Sequence, residues 1–259
     1  MIIPPSFFQL LEDYFDISEF IPSVFYNTFY QSLGRKRTYP LTGFLSALIL
    51  QKIFSIPSDS LLILFLSTCK ELRDFCGFSK VPDAPLFTRF KQNFLPYIEL
   101  MFQRMVDFTE PICQAVDSSL AQMLTFDTSG IELYVTENNP KTLNSLIRRL
   151  KAYYKDNPDV DPYKMAYSLM PLQAASCPDA RQQYINGHFC YADKFAVLTN
   201  GLGIVRRIAF LDGDFKNSHP EIPVEKKSDS PDGDKSVGDS SSLKPVLSDF
   251  LTLHPPVPL

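Results

Sequence analysis

The sequence predicts an α+β protein, a helical amino-terminal domain followed by a smaller mixed core, and three patterns carry that prediction. Apolar residues recur at the helical period through residues 1–120, as in Leu41, Leu45 and Leu48 and again in Ile98, Met101, Phe102 and Met105. Between Met123 and Val135 the period drops to two. A further pair of short apolar runs flanks Asn200-Gly201 within residues 189–211.

In the helical part, Pro22, Pro40, Pro57, Pro82 and Pro111 punctuate the apolar runs. Each proline removes a backbone donor and crowds the preceding turn, so a bundle of short helices is expected rather than a few long ones. The chain has 22 Phe and 12 Tyr but no Trp, and most of the Phe lie in the first half, which predicts a dense core there.

After residue 123, Leu124 and Phe126 alternate with Thr125 and Asp127, and Ile131, Leu133 and Val135 alternate with Glu132 and Tyr134. Gly130 stands between the two runs, where a bend is cheap for a residue without a side chain. Residues 141–155 return to helical spacing, with Leu143, Leu146, Ile147, Leu150 and Tyr154 on one face and Lys141, Arg148, Lys151 and Lys155 on another. Residues 156–187 hold Pro158, Pro162, Pro171 and Pro178 and read mostly as loop. The segments Phe189–Leu198 and Gly203–Leu211 predict a hairpin about Asn200-Gly201, a pair favoured where both central turn residues take positive φ. Residues 217–242 carry almost no large apolar side chain and are expected to be a disordered linker, because they cannot bury enough surface to offset ordering. A short helix over 243–253, with Leu247 and Phe250 on its apolar face, is stopped by the closing prolines. The expected organisation is therefore 1–120, 121–216, the linker 217–242, and a helix with a Pro-rich end, 243–259.

A formal net charge of -4 excludes a uniformly basic coat, so any contact with nucleic acid needs local clusters of Lys and Arg. The start, Met1-Ile-Ile-Pro-Pro-Ser-Phe-Phe, lacks a positive segment and soon meets Glu12, Asp13 and Asp16, so a cytoplasmic rather than secreted protein is expected. The apolar stretch Leu41 to Leu66 is cut by Gln51-Lys52 and Pro57-Ser58-Asp59 into runs shorter than the ~20 residues that span a bilayer. Two helices are expected there, with a membrane hairpin as the alternative. The five cysteines form no C-x-x-C pair and read as reduced, buried residues. His188 and Cys190 offer two metal-ligand atoms, but no second pair stands at zinc-like spacing, so a structural role is expected. The run Asp232 to Asp239 departs from a calcium loop at Gly238 and at Leu243, and none is expected.

Two stretches carry a family likeness. Val81-Pro-Asp-Ala-Pro-Leu-Phe-Thr-Arg-Phe-Lys91 is similar to a Pro-Asp…Arg-Phe motif, and Leu124-Thr-Phe-Asp-Thr-Ser-Gly130 to a first catalytic strand, of the DDE transposases of bacterial insertion sequences. The hairpin with Lys194, Gly201 and Arg206-Arg207 is similar to the second and third strands of their RNase H-like core. The likeness runs from Leu41 to Lys216 and rests on the order of the parts. It implies DNA transposition, that is, metal-dependent strand cleavage and transfer, with an incomplete RNase H-like α/β core as the second domain. Such enzymes use two Mg²⁺ about 3.5–4 Å apart, held by two Asp and a Glu.

Asp127 matches the first of those acids and is the one residue the resemblance assigns to catalysis and metal binding. On its own, an Asp there also suits the end of a strand and the start of a turn. Past Lys216 the family pattern calls for a strand with the second Asp and a later helix with the Glu; this sequence offers neither. A truncated copy, inactive alone, is expected, with a non-enzymatic DNA-binding regulator of transposition as the alternative and an all-helical interaction protein without DNA affinity as the third. Missing a fourth strand, the first would expose an edge open to another chain. Asp193, Asp212 and Asp214 match neither missing acid and read as a strand edge and a turn.

For DNA contact the candidates are Lys141, Arg148, Lys151 and Lys155, with Arg149, Arg206 and Arg207, then Arg89 and Arg35-Lys36-Arg37, with a recognition helix near Pro85 to Phe94. The alternative for each is the wet face of an amphipathic helix. The expected partners are transposon-end DNA and either full-length transposase or a second copy, with no membrane.

Overall fold

The computed structural model describes residues 7–31, 34, 36–185, 187–222 and 236–254. The chain divides into two compact units, Met1–Ile112 and Cys113–Leu259, eight residues before the expected boundary at 120. The first is all helical and the second holds the sheet, so the α+β class stands.

In the first unit, α1 (Phe7–Tyr14), α2 (Ser23–Phe29), α3 (Leu41–Ile53), α4 (Asp59–Thr68), α5 (Lys70–Phe75) and the start of α6 (Ala84–Val116) surround one core. Pro22 and Pro40 occupy the cap positions before α2 and α3, where a proline's missing N–H costs nothing. Ser58 caps α4 by accepting from the Leu61 N–H at 3.3 Å. The predicted aromatic core is present: Phe44 stacks on Phe90 at 4.8 Å and meets Phe87 edge-on at 5.2 Å, and Phe29 packs on Phe94 at 5.4 Å.

The expectation of short helices fails at α6, which runs 33 residues with Pro96 and Pro111 inside it. A helix-interior proline costs about 3 kcal/mol. Here both prolines sit on the exposed side, while Phe87, Phe90, Phe94 and Met101 bury the opposite stripe at helical spacing. Packing of that stripe outweighs the breaks.

In the second unit, α7 (Ser118–Gln122) leads to β1 (Leu124–Glu132), then α8 (Pro140–Tyr153), α9 (Pro162–Leu169), β2 (Arg181–Ile185), β3 (His188–Asn200), β4 (Val205–Phe210), α10 (Gly213–Ser218) and α11 (Asp239–Leu253). The four strands form one antiparallel sheet. β3 is central: β1 lies along one edge, and β2 and β4 share the other in succession, since Ala192 pairs with both Glu132 and Arg181.

Four local expectations are corrected. The strand runs unbroken through Gly130 to Glu132, leaving Leu133 and Val135 of the second alternating run beyond its end, and Gly130 is not a bend; a Cβ there would strike Ile185 Cδ1 and lie 2.6 Å from Gln183 Oε1. The loop expected over 156–187 contains α9 and β2. Asp161 caps α9 by accepting from the Tyr163 N–H at 2.9 Å, so Pro162 opens a helix instead of breaking one. The hairpin turn is longer than Asn-Gly: Asn200 Oδ1 accepts from Leu202 and Ile204, and the positive φ of 79° falls on Gly203. Lastly, the expected linker 217–242 is ordered at both ends, with Ile222 and Val237 buried and α11 starting at Asp239; residues 223–235 lie outside the described ones.

The two faces of the sheet differ. On one, Ala196, Leu198 and Ala209 are buried with Leu211, Ile222, Val237, Val246 and Phe250, so α11 covers this face. Lys194 on the same face is buried and donates to the Val237 carbonyl at 2.7 Å and to Asp239 Oδ1 at 2.6 Å, which also accepts from Thr128 Oγ1 at 2.6 Å. These bonds pin the first turn of α11 to β1 and β3. Alternation puts Asp127, Ile131, Asp193, Phe195, Val197, Ile208 and Phe210 on the opposite face, where Ile131, Ile208 and Phe210 are exposed.

Toward α8 and α9 a smaller core gathers around Tyr191, with Met170, Ala174 and Ala180 buried and Leu143 and Leu146 packed against them. Tyr191 Oη donates to the Pro171 carbonyl at 2.6 Å. Asn138 bridges the strands, donating to the Leu133 and Tyr191 carbonyls and accepting from the Tyr191 N–H at 2.6 Å.

Candidate nucleic-acid interface and the Asp127 strand

A groove of about 960 Å³ opens on the first unit, between the chain leading into α3 and the first turns of α6. Its charged lining is Lys36, Arg37, Lys80 and Arg89, with Tyr30, Tyr39 and Asn93 among the polar and aromatic neighbours; among the described residues none that lines it is acidic. Of the candidates read from sequence, Lys36, Arg37 and Arg89 thus come together, while Arg35 lies outside the described residues. Arg37 is held in place: its Nε donates to the Phe29 carbonyl at 3.1 Å, and its guanidinium lies 4.9 Å from the Phe29 ring centre. Arg89 projects from α6 within the stretch expected to act as a recognition helix.

Lys80 was not singled out in the sequence. It stands just before the Val81-Pro-Asp motif, but nothing in linear spacing links it to Lys36. Only the packing of the α5–α6 connection beside the chain before α3 makes them neighbours.

In the second unit, Lys141, Arg148, Arg149 and Lys151 lie on α8 and are exposed. Lys155, also exposed, falls past the end of the helix, so the ridge is shorter than its sequence spacing implies. Lys151 Nζ donates to Tyr163 Oη at 2.7 Å and lies 4.4 Å from that ring centre. The hairpin pair is less accessible than expected. Arg206 is only 4% exposed and stands beside the register shift at Leu198/Thr199. Arg207 is half-buried, with its Nε enclosed.

Asp127 sits mid-strand on β1, opposite Val197 of β3, with an exposed side chain that accepts from the Thr128 N–H at 2.8 Å. Asp193 shares its face but lies four residues along the strand pairing, roughly 13 Å away at the rise of a strand. Asp212 caps α10, accepting from the Phe215 N–H at 3.0 Å, and Asp214 lies in that helix's first turn. Two Mg²⁺ about 4 Å apart need carboxylates converging within a few ångströms. Among the described residues Asp127 has no such companion, so these residues do not fit the metal pair.

Asp193 instead belongs to a charged cluster. Burial raises its pKa, the nearby Asp179 and Asp212 carboxylates add to the rise, and Lys216 opposes it. Lys216 is held below its ordinary range by burial and then by Arg181, against the pull of Asp179, Asp212 and Asp193. Asp193 Oδ1 is enclosed without a hydrogen-bond donor among the described residues.

On the face opposite Asp127, Glu132, His188 and Cys190 bring their donor atoms within 4.8 Å of one another. His188 Nε2 meets Glu132 Oε2 at 3.0 Å. Cys190 is buried, and its thiol is pushed up to about 11 by burial and then by the Glu132 charge.

Among the described residues no helix is long and apolar enough to cross a membrane. No curated protein and no solved structure matches the chain. Residues 1–93, which include every cation of the groove, match the family model described as Transposase domain (DUF772), and that match supports a transposase family for the chain.

Proposed function

We propose that the protein binds DNA as part of a DDE-type transposition system, with the groove of the amino-terminal unit as its phosphate-binding surface. The observation that carries this is the placement of Lys36, Arg37, Lys80 and Arg89 in one groove, with no acidic residue among its described lining, inside the segment that matches a transposase domain. Such cations hold the phosphate backbone and fix orientation without reading bases. Exposed cations on α8 add a second surface for phosphate.

In the same proposal β1, β3 and β4 are the opening strands of an RNase H-like core, with Asp127 on the first as the one catalytic acid present. Among the described residues no second Asp and no Glu converge on Asp127, so on this reading residues 1–259 alone neither hold two Mg²⁺ nor cut DNA. That lack of converging acids also favours a second role, a non-enzymatic regulator that occupies transposon ends. The two roles share the groove and differ in whether a partner chain supplies the missing acids.

Fluorescence anisotropy with duplex DNA over a range of salt tests the groove. Each phosphate contact contributes about 0.9 to the slope of log K against log salt. The triple variant K36A/K80A/R89A is expected to lower that slope by about 2.7 and to weaken binding for all sequences alike. Absence of wild-type affinity at low salt rejects DNA binding, and an unchanged slope in the variant rejects the groove. Incubation with Mg²⁺ or Mn²⁺ is expected to leave DNA uncut; cleavage that Asp127→Ala abolishes would overturn the missing-acid proposal.

A further inference from the structure

We propose that Glu132, His188 and Cys190 form a binding site for a thiophilic divalent cation, with Zn²⁺ the ion that best fits the donors. One carboxylate, one imidazole and one thiol converge here from two strands. His188 and Cys190 alternate on the same face of β3, two residues apart, and β1 ends with Glu132 diagonally across from Cys190. The third donor is the one that no local spacing reveals, because it comes from 56 residues earlier in the chain.

Zinc takes sulfur at about 2.3 Å and nitrogen or carboxylate oxygen at about 2.0–2.1 Å, which places tetrahedral donors roughly 3.6 Å apart. The three donor atoms already lie within 4.8 Å of one another, so small rotamer adjustments close the shell. Their mixture discriminates between metals: thiolate and imidazole suit zinc and disfavour Mg²⁺ or Ca²⁺, which prefer oxygen alone. Access is provided for as well. Glu132 and His188 are about half exposed, at 48% and 52%, whereas Cys190 forms the floor. A cation entering from solvent displaces the thiol proton to water, replaces the His188–Glu132 contact, and keeps a water at its fourth position. Carboxylate and thiolate together balance its charge.

The site lies on the opposite face of the sheet from Asp127 and shares no residue with it or with the groove of the first unit. Its effect is to fasten the end of β1 to the start of β3.

Metal-free, full-length protein titrated with Co²⁺ tests this, followed by the thiolate-to-cobalt charge-transfer band and by competition with Zn²⁺. One ion per chain is expected, together with a rise in Tm on adding Zn²⁺. The band is lost in C190S and persists in C69S and C177S. Because Cys190 is buried, H188A supplies an independent test at an exposed position, and its affinity should fall more than about 10-fold. No band in the wild type, a band that persists in C190S, or unchanged affinity in H188A each overturns the site.

Discussion

Replacing Gly130 by alanine separates two roles that a glycine can have in a strand. Gly130 pairs with Lys194 inside β1 and is not among the residues with positive φ, so alanine meets no backbone strain there. Reduced freedom of the unfolded chain and better strand propensity then favour alanine by about 0.5–1 kcal/mol. Against this, the new Cβ runs into Ile185 Cδ1, lies 2.6 Å from Gln183 Oε1 and 3.2 Å from the Ala192 Cβ. Gln183 yields with difficulty, because it is buried and its Nε2 donates to the Ala192 carbonyl at 2.8 Å. Overpacking of this kind costs about 1–3 kcal/mol. The net loss is then about 0–2.5 kcal/mol, a fall in Tm of up to roughly 10 °C in a domain of this size. Thermal melts of G130A, I185V and the double variant form the assay. Ile185→Val deletes the atom that collides, so the double variant should recover about 1 kcal/mol relative to additive behaviour. A G130A protein more stable than wild type, or purely additive effects, would refute a role in close packing.

Further expectations concern charge and anchoring. Arg148→Ala with Lys155→Ala should lower the salt slope of DNA binding by about 1.8, measured by anisotropy, while Asp127→Ala leaves it unchanged. Asp193 has a raised folded pKa, so its contribution to stability is greatest below the unfolded value of about 3.9 and is lost as pH rises through the folded one. Asp193→Asn should therefore raise Tm at neutral pH, with an advantage that shrinks as pH falls toward 4; an equal advantage at all pH values would exclude the charge as its cause. Lys194→Met removes the buried donor to Val237 and Asp239, with an expected cost of about 1–3 kcal/mol. Hydrogen exchange should show the amides of α11 losing protection first, and uniform loss across the unit would contradict a local anchor.

Strands and amphipathic helices were legible where local pattern decides structure. The alternation about Phe126 and Asp127 locates β1, and the Leu143-to-Leu150 stripe locates α8, because one face of each meets a core. β2 was hidden because its buried members are Gln182 and Gln183, which bury through hydrogen bonds to Pro171 and Ala192 and so break the apolar pattern. α9 was hidden because a proline after an Asp cap looks like a breaker in a linear reading. The groove was half legible: basic residues at 36, 37 and 89 stand out, whereas Lys80 joins them only through tertiary packing. Arg206 misled because strand alternation assumes regular register, whereas it stands buried beside a register shift.

The absence of Trp combines with the placement of the aromatic rings to give each unit its own optical signal. In the first, Tyr97 stacks on Phe25 at 5.4 Å; in the second, Tyr191 is fully enclosed and burial pushes its phenol up to about 12. During an alkaline titration the Tyr191 phenol therefore ionises late, and its ionisation reports on the enclosure of the second unit. A single Trp placed at Phe94 would emit without background and report the melting of the aromatic cluster alone.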